Sequence, residues 1–257
     1  MDIIEQNKTA WNNKVIENVS YTRAVSKETI KRCKQGDWEI TVTTEKSVPR
    51  KWFPVNLNGV KILCLASGGG QQGPILAAAG ADVTVVDISD KQLEQDQFVA
   101  TRDKLTIETI QGSMTNLHFF EDESFDIIVH PVSNLFVAEL MPVWKEAYRV
   151  LKRNGTLISG FTNPLLFIFN DDEEMKGNLK VEHSIPTNSI ANLNESQKKE
   201  HIKAKRTVEH AHTLEDQIQG QIDAGFMITG FYEDDFGGRR MIDNFIKTFI
   251  ATKATKC

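Results

Sequence analysis

Blocks of apolar residues alternate with more polar blocks through the middle of the chain and predict strands separated by helices. The run "VKILCLA" (60–66) is continuously apolar, which is typical of a strand covered on both faces. Four more strands are predicted at "DVTVVD" (82–87), "LTIETI" (105–110), "FDIIVH" (125–130) and "GTLISGF" (155–161). This alternation predicts an open, mostly parallel sheet with helices on both faces.

The segments between these strands carry helix signals. "PILAAAG" (74–80) is typical of a short helix ended by its glycine, and Ser89 with Gln92 predicts a capping box for a helix over about 90–103. Apolar residues recur at helical spacing over 137–151, and Pro142 is expected in the first turn of that helix.

The flanks of this core divide the chain. Residues 2–35 are predicted to be helical with a break near "SYTR", and "WEITVTTEKSVPRKWFP" is predicted to be extended. Thr213 with Asp216 predicts a further helix before strands at 226–234 and 245–254. We therefore divide the chain into an N-terminal cap (1–56), a ligand-binding core (57–161), an insertion (162–212), and a C-terminal helix with two strands that complete the sheet (213–257).

Composition limits the partners. The formal net charge of −5 gives no reason to expect a polyanion, so nucleic acid is an unlikely partner. The three cysteines are far apart and form no metal or disulfide motif. The start of the chain does not resemble a signal peptide, and no run of about 18 apolar residues is present. We expect a cytoplasmic protein without a membrane partner.

The stretch "LCLASGGGQQG" (63–73) follows the first predicted core strand and matches G-x-G-x-x-G, the dinucleotide fingerprint. Asp87 follows about 20 residues after Gly68, at the end of the second strand, where an acid binds a ribose hydroxyl. Nicotinamide dinucleotides and S-adenosylmethionine both contain an adenosine ribose, so this pair does not distinguish them. A structural alternative for Asp87 is an acid at a helix start.

Motifs downstream distinguish the two ligands. "QGSM" (111–114) follows the third strand, Phe125-Asp126 opens the fourth, and "RVLKRNG" (149–155) precedes the fifth. In this order they resemble the class I S-adenosylmethionine-dependent methyltransferases over about 60–161. The resemblance implies a Rossmann-like three-layer αβα sandwich, with a mostly parallel seven-stranded sheet whose last strand is antiparallel, and S-adenosylmethionine as cofactor.

The chain departs from the family pattern at three positions. Cys64 stands where the family usually has an acid, Ala66 stands where it has a glycine, and Ser113 stands where an acid reaches the adenine amine. A serine hydroxyl still forms one hydrogen bond but carries no charge. We expect an intact pocket with fewer anionic contacts to the cofactor.

The resemblance implies a set of cofactor-binding residues at the carboxyl ends of the strands, joined by a tyrosine from an N-terminal lid. They are Ala66, Ser67, Gly68, Gly69, Gly70, Gln71, Asp87, Ile88, Gln92, Gly112, Ser113, Met114, His130, Pro131, Val132 and Tyr21. Packing of the N-terminal aromatic residues on the sheet is the alternative to a lid.

Methyl transfer from a sulfonium is an in-line displacement, so the protein mainly positions the acceptor and excludes water. A base is needed only where the nucleophile carries a proton. His130 and Asn134 are the candidate catalytic residues; the alternative for His130 is a backbone or packing role. "HPVS" (130–133) stands where methyltransferases of exocyclic amines have Asn-Pro-Pro-Tyr, which argues against that class.

Two polar segments are open to several interpretations. His210 and His212 suggest a metal but lack a recognisable third ligand, so a surface or capping role is preferred. "QKKEHIKAKR" (197–206) is more typical of a solvated helix than of a site for an anionic substrate. The insertion at 162–212 follows the fifth strand, so we expect it to cover the acceptor site.

These observations predict an S-adenosylmethionine-dependent methyltransferase that acts on a small-molecule acceptor. An RNA or protein acceptor is the alternative within that class. A non-catalytic S-adenosylmethionine-binding protein and a nicotinamide-dependent oxidoreductase are the alternatives outside it. The acceptor and the oligomeric state do not follow from the sequence.

Overall fold

The computed structural model describes residues 2–257 and contains a seven-stranded sheet. Its strands are β1 Lys61–Leu65, β2 Asp82–Asp87, β3 Ile107–Gln111, β4 Phe125–His130, β5 Leu151–Thr162, β8 Phe226–Asp234 and β9 Phe249–Lys256, while β6 Thr187–Asn188 and β7 His210–Ala211 form a separate pair. The order across the large sheet is β3-β2-β1-β4-β5-β9-β8. The first five strands are parallel, and β9 runs antiparallel to both of its neighbours.

The helices are α1 Ile3–Ile16, α2 Lys27–Cys33, α3 Gln72–Ala78, α4 Asp90–Asp103, α5 Met141–Val150, α6 Asp171–Met175, α7 Glu195–Lys203 and α8 Gly220–Asp223, the last continuing a π-helical turn at Glu215–Gln219. Of the residues described, none belongs to a helix long and apolar enough to span a bilayer.

Helices cover the sheet on both faces, and β1 shows how. Ile62 and Cys64 pack in one apolar cluster with α3 and α4, whereas Leu63 and Leu65 pack in a second cluster with α5. Successive side chains of a strand point to opposite faces, so a strand between two helical layers must be apolar throughout. The predicted Rossmann-like three-layer αβα sandwich, including its antiparallel last strand, is confirmed.

Several predicted elements differ in extent, namely α3, β3, α5, β5 and β9. The helix predicted over 137–151 begins at Met141, although Val137 and Leu140 are buried as their pattern indicated. Pro142 explains the late start, because proline lacks an N–H and fits only the first turn of a helix. Strand β5 begins at Leu151, before the predicted 155, and its pairing with β4 is irregular around Asn154, which adopts a φ of 64°.

The N-terminal region breaks where predicted, with a 3-10 turn at Ser20–Thr22 between α1 and α2. The segment predicted to be extended forms an isolated bridge between Thr41 and Ser47 and a 3-10 turn at Arg50–Trp52. This segment crosses the carboxyl end of the sheet, where the Val42 carbonyl accepts a hydrogen bond from Val132 N–H at 3.1 Å. A Cβ on Gly160 would lie 1.9 Å from that carbonyl oxygen, so glycine is required for the crossing.

Candidate functional site

A cleft opens at the carboxyl ends of the first four strands and encloses about 1110 Å³, including space open to solvent. A concave site lined mainly by apolar side chains with a few polar groups is typical of small-molecule binding. The cleft brings together most of the predicted cofactor-binding residues: Ala66, Ser67, Gly68, Gln71, Asp87, Ile88, Gln92, Ser113, Met114, Pro131, Val132 and Tyr21.

The glycine-rich loop after β1 is tied to the acid that ends β2. Gly68 N–H donates to Asp87 Oδ2 at 2.9 Å, and Ser89 N–H donates to Asp87 Oδ1 at 2.9 Å. A Cβ on Gly68 would lie 2.7 Å from Gln92 Cβ, so any side chain there would displace α4 or the loop. Burial raises the pKa of Asp87 to about 6, although these N–H groups act in the opposite direction.

Gln92 projects from α4 into the same corner. Its backbone N–H donates to Ser89 Oγ at 3.1 Å, as the predicted cap requires. Its side-chain Oε1 is buried and has no hydrogen-bond partner among the described residues, so the reciprocal half of the predicted capping box does not form. A buried acceptor without a partner at the wall of a cleft is suited to a ligand hydroxyl.

Asp96, also on α4, was missed by the sequence reasoning. It is fully buried, and its Oδ2 accepts a hydrogen bond from Gly69 N–H at 3.0 Å. Its Oδ1 has no partner within the part of the chain that the structure describes. Burial raises its pKa to about 8. The available signal was an acid on the buried face of α4, beside Leu93 and Val99.

Cys64 lies on the same side of the sheet as Asp96 and does not reach the cleft. Its thiol is fully buried, and burial raises its pKa, with the charge of Asp96 adding to the effect. Two carboxyl groups therefore contact the glycine loop, Asp87 from β2 and Asp96 from α4, while the strand position usually occupied by an acid carries a neutral thiol.

The wall after β3 contains Ser113 and Met114, opposite Ile88. The Ser113 hydroxyl lies 2.8 Å from that of Thr115, in a local turn. Gly112 does not line the cleft: its N–H donates to the Asp87 carbonyl at 3.0 Å, and a Cβ there would lie 2.8 Å from the ring of Phe119. Gly69 and Gly70 likewise support the loop from behind the lining residues.

His130 and Asn134 are buried and are not among the described residues that line the cleft, and their catalytic role stays a prediction. His130 is fully buried, with Nδ1 donating to the Leu65 carbonyl at 2.9 Å and Nε2 lying 2.7 Å from the Asn134 amide. That amide in turn bonds to Gln217 on the π-helical turn at 2.7 Å. Burial lowers the pKa of His130. These hydrogen bonds hold the 131–137 loop in position.

The N-terminal region covers the mouth of the cleft. The Gln71 amide nitrogen donates to the carbonyls of Tyr21 and Arg23 at 3.0 and 3.1 Å, and Val25 N–H donates to the Gly70 carbonyl at 2.9 Å. Residues 21–25 are thus bound to the glycine loop. Tyr21 OH accepts a hydrogen bond from Lys14 Nζ at 2.9 Å, so the ammonium holds the tyrosine at the mouth.

The rest of the wall was not predicted. It comes from segments distant in sequence that the fold brings together: Ile4, Trp11, Val42, Thr43, Thr44, Gln72, Ser133, Phe136, Val137 and Phe249. Of these, Gln72 belongs to the glycine-rich stretch 63–73, Ser133 to the segment "HPVS", and Trp11 to the N-terminal aromatic residues.

The two histidines of the insertion serve its attachment. Their rings stack with centroids 5.9 Å apart, and His212 Nε2 lies 3.2 and 2.9 Å from the carbonyls of Asn134 and Val137. Among the described residues, no three metal-ligating side chains converge on a common point. Asn7 bridges the same loop to the insertion by donating to the Phe136 and Val208 carbonyls at 2.9 and 3.0 Å.

The insertion therefore supports the cleft from outside. The described residues that line the cleft all lie outside 162–212. That the insertion covers the acceptor remains a prediction.

Comparisons with known proteins agree with this geometry. A methyltransferase domain model matches residues 63–159. An uncharacterized methyltransferase of Bacillus subtilis, YbaJ, is 55% identical over 254 residues, covering 99% of this chain and 98% of the relative. A demethylmenaquinone methyltransferase of Paenarthrobacter aurescens is 36% identical over 109 residues, covering 42% of this chain and 41% of its own length.

Solved structures show the same fold. An S-adenosylmethionine-dependent methyltransferase from Mesorhizobium loti superimposes with a TM-score of 0.62 at 17% identity, covering 80% of this chain and 95% of that one. The fold is therefore that of S-adenosylmethionine-dependent methyltransferases. With a relative 55% identical along its whole length and a domain model matched over residues 63–159, the chain belongs to the methyltransferases.

Proposed function

We propose that this protein transfers a methyl group from S-adenosylmethionine to a small-molecule acceptor in the cleft. The observation that carries the proposal is the corner formed by Asp87, Gln92 and Gly68. It presents a carboxylate, an unpartnered amide oxygen and an open stretch of backbone to one point of the cleft.

The side chains present fit the donor. Asp87 retains acceptor capacity on both oxygens beyond its bonds to Gly68 and Ser89, and with Gln92 Oε1 it would accept from the two ribose hydroxyls. Ile88 and Met114 would flank the adenine, and Ser113 would supply one neutral hydrogen bond to it. The backbone of Ala66 and Gly68 would face the methionine part of the donor.

The bound donor supplies a methyl group on a positively charged sulfur, which is already a good leaving group. The protein therefore needs only to hold the acceptor in line and to exclude water. Residues 21–25 and Trp11 close one side of the cleft, and the segment at Val42 closes another. His130 and Asn134 fix the 131–137 loop between these two walls.

We also place the protein in the cytoplasm. All three cysteines are free, and Cys257 is exposed, which suits a reducing compartment.

The test of the proposal combines transfer and binding. Incubation with radiolabelled S-adenosylmethionine and a metabolite extract is expected to label a small molecule, which mass spectrometry then identifies. Gln92→Leu is expected to weaken donor binding about tenfold through loss of one ligand hydrogen bond. The matched control Gln97→Leu, on the exposed face of the same helix, is expected to bind normally. Equal affinity in both variants, or label only in protein or RNA, would contradict the proposal.

A further inference from the structure

One part of the cleft wall lies beyond the proposed donor corner. It lies toward the carboxyl ends of β4 and β5, and we call it the acceptor chamber. Its residues are Trp11, Val42, Thr43, Phe136, Val137 and Phe249. Phe249 pairs with Thr162 at the end of β5, so this part of the wall is displaced along the sheet from the loops after β1 to β3.

The hydroxyl protons beside the chamber are already engaged. Thr43 Oγ1 donates to Asp234 Oδ2 at 2.7 Å, and Ser133 Oγ donates to the Pro131 carbonyl at 2.8 Å. Thr44 Oγ1 donates to the Asp235 carbonyl. These protons point away from any bound molecule, so the chamber offers an acceptor mainly apolar surface.

Among the described residues, no cationic side chain lines the cleft; the Lys14 ammonium lies outside it, over the rings of Trp11 and Tyr21. Within residues 2–257, the ionisable side chains that line the cleft are Asp87 and Tyr21. Asp87 belongs to the donor corner, and Tyr21 OH is bonded to Lys14 at the mouth. A carboxylate or phosphate acceptor would find no cation in this wall, and a protonated nucleophile would find no base directly facing it.

Two buried groups lie behind hydroxyls of the cleft wall. His130 Nδ1 lies 3.4 Å from Ser133 Oγ but donates to the Leu65 carbonyl at 2.9 Å, and Asp234 lies behind Thr43. Asp234 is buried, which raises its pKa, but it accepts hydrogen bonds from Lys46 N–H, the Thr43 hydroxyl and Glu45 N–H. These bonds outweigh burial and lower the pKa of the carboxyl overall. Asp234 therefore anchors the 43–46 turn and is a poor proton acceptor.

We infer that the acceptor is a hydrophobic thiol, an apolar small molecule that ionises without help from the protein. This inference rests on the proposed methyltransferase function. A thiol has a pKa of about 8.5 and so supplies a few per cent of thiolate near neutral pH, far more than an alcohol or a phenol supplies of its anion. Sulfur also makes favourable contacts with aromatic rings such as those of Trp11 and Phe136.

The transfer balances without a protein base. The thiol loses its proton to solvent before or during binding, and the thiolate electron pair forms a new S–CH₃ bond. The bond between the methyl carbon and the donor sulfonium breaks, and its electron pair stays on that sulfur. The products are a neutral methyl thioether and S-adenosylhomocysteine.

The experiment compares acceptors that share one skeleton. Substituted benzenethiols of different acidity are tested against the matching phenols, anilines and benzoates, with S-adenosylhomocysteine release as the readout. Thiols are expected to react at least about 100-fold faster near neutral pH, and the midpoint of kcat/KM against pH is expected to follow the pKa of each thiol. Binding of thioanisole but not of benzoate, measured by calorimetry without donor, provides a readout independent of turnover.

Variants distinguish the possible outcomes. Asp234→Asn is expected to leave the pH midpoint of each thiol unchanged. Val137→Asp, which places a charge in the chamber, is expected to abolish thioanisole binding, whereas Val55→Asp at a fully exposed position retains it. One common midpoint for all thiols, or a preference for phenols or benzoates, would overturn the inference while S-adenosylmethionine binding still supports the proposed function. Loss of donor binding in the wild type would instead overturn the function.

Discussion

The buried carboxyl of Asp96 is predicted to make the stability of the protein depend on pH. Its Oδ2 accepts from Gly69 N–H, whereas Oδ1 has no partner among the described residues. Burial raises its pKa from 3.8 to about 8, so the folded protein keeps a proton that the unfolded chain has lost across this interval. The free energy of unfolding therefore falls as pH rises from about 4 to about 8 and is constant with respect to this group above that.

The size of the effect follows from the width of the interval. About four pH units at about 1.4 kcal/mol each give on the order of 5 kcal/mol, which is comparable to the whole stability of a small domain. Asp96→Asn keeps an oxygen for Gly69 N–H but cannot ionise. The variant is therefore expected to be as stable as the wild type near pH 4 and more stable by several kcal/mol at pH 9.

Urea unfolding of both proteins at each pH from 5 to 9 provides the measurement. Subtracting the free energy of unfolding of the wild type from that of the variant removes the contribution of all groups that titrate equally in both proteins. The resulting difference is expected to grow with pH and to level off near pH 8. Asp82→Asn, at an exposed position, is the control and should show a constant difference. A constant difference for Asp96→Asn would refute the reasoning that this carboxyl is neutral and buried in the folded protein.

Three further changes test other parts of the account. Protonation of Asp87, whose pKa is about 6, should weaken S-adenosylmethionine binding about tenfold per pH unit below that value. Calorimetry from pH 5 to 8 measures this affinity, and an affinity that does not change with pH would mean that Asp87 does not contact the donor. Gln71→Leu should speed amide hydrogen exchange in residues 21–25 about tenfold or more, because it removes two hydrogen bonds to this segment. The exposed control Gln35→Leu should leave the exchange unchanged, and equal exchange in both variants would mean that Gln71 does not hold the segment. Gly160→Ala should cost about 1–3 kcal/mol in thermal unfolding because Val42 must move, and an unchanged Tm would exclude that contact.

The fold was predictable because each core strand has a local sequence signal, a run of apolar residues. β2 and β4 coincide with their predicted bounds, since apolar runs between helix caps leave little choice of assignment. The order of the last two strands and the antiparallel direction of β9 came from family resemblance, because strand order depends on contacts between residues far apart in sequence.

Only the parts of the site that come directly after a core strand in sequence were predictable. Loops after β1 to β4 supply the donor corner, and the fold places them at one edge. Val42, Thr43 and Phe249 were missed because tertiary packing alone brings them to the cleft. The alternation of side chains along β4 predicts which way His130 faces. Ile128 packs beneath α5, and the residue two positions later points to the same face, where His130 contacts the ring of Trp144.

Isothermal titration of the wild-type protein with S-adenosylmethionine and, separately, with NAD tests the central claim most directly. The corner formed by Asp87, Gln92 and Gly68 predicts saturable binding of S-adenosylmethionine at one site per chain, and membership of the methyltransferases predicts no heat of binding with NAD. Saturable binding of NAD without binding of S-adenosylmethionine would contradict the account.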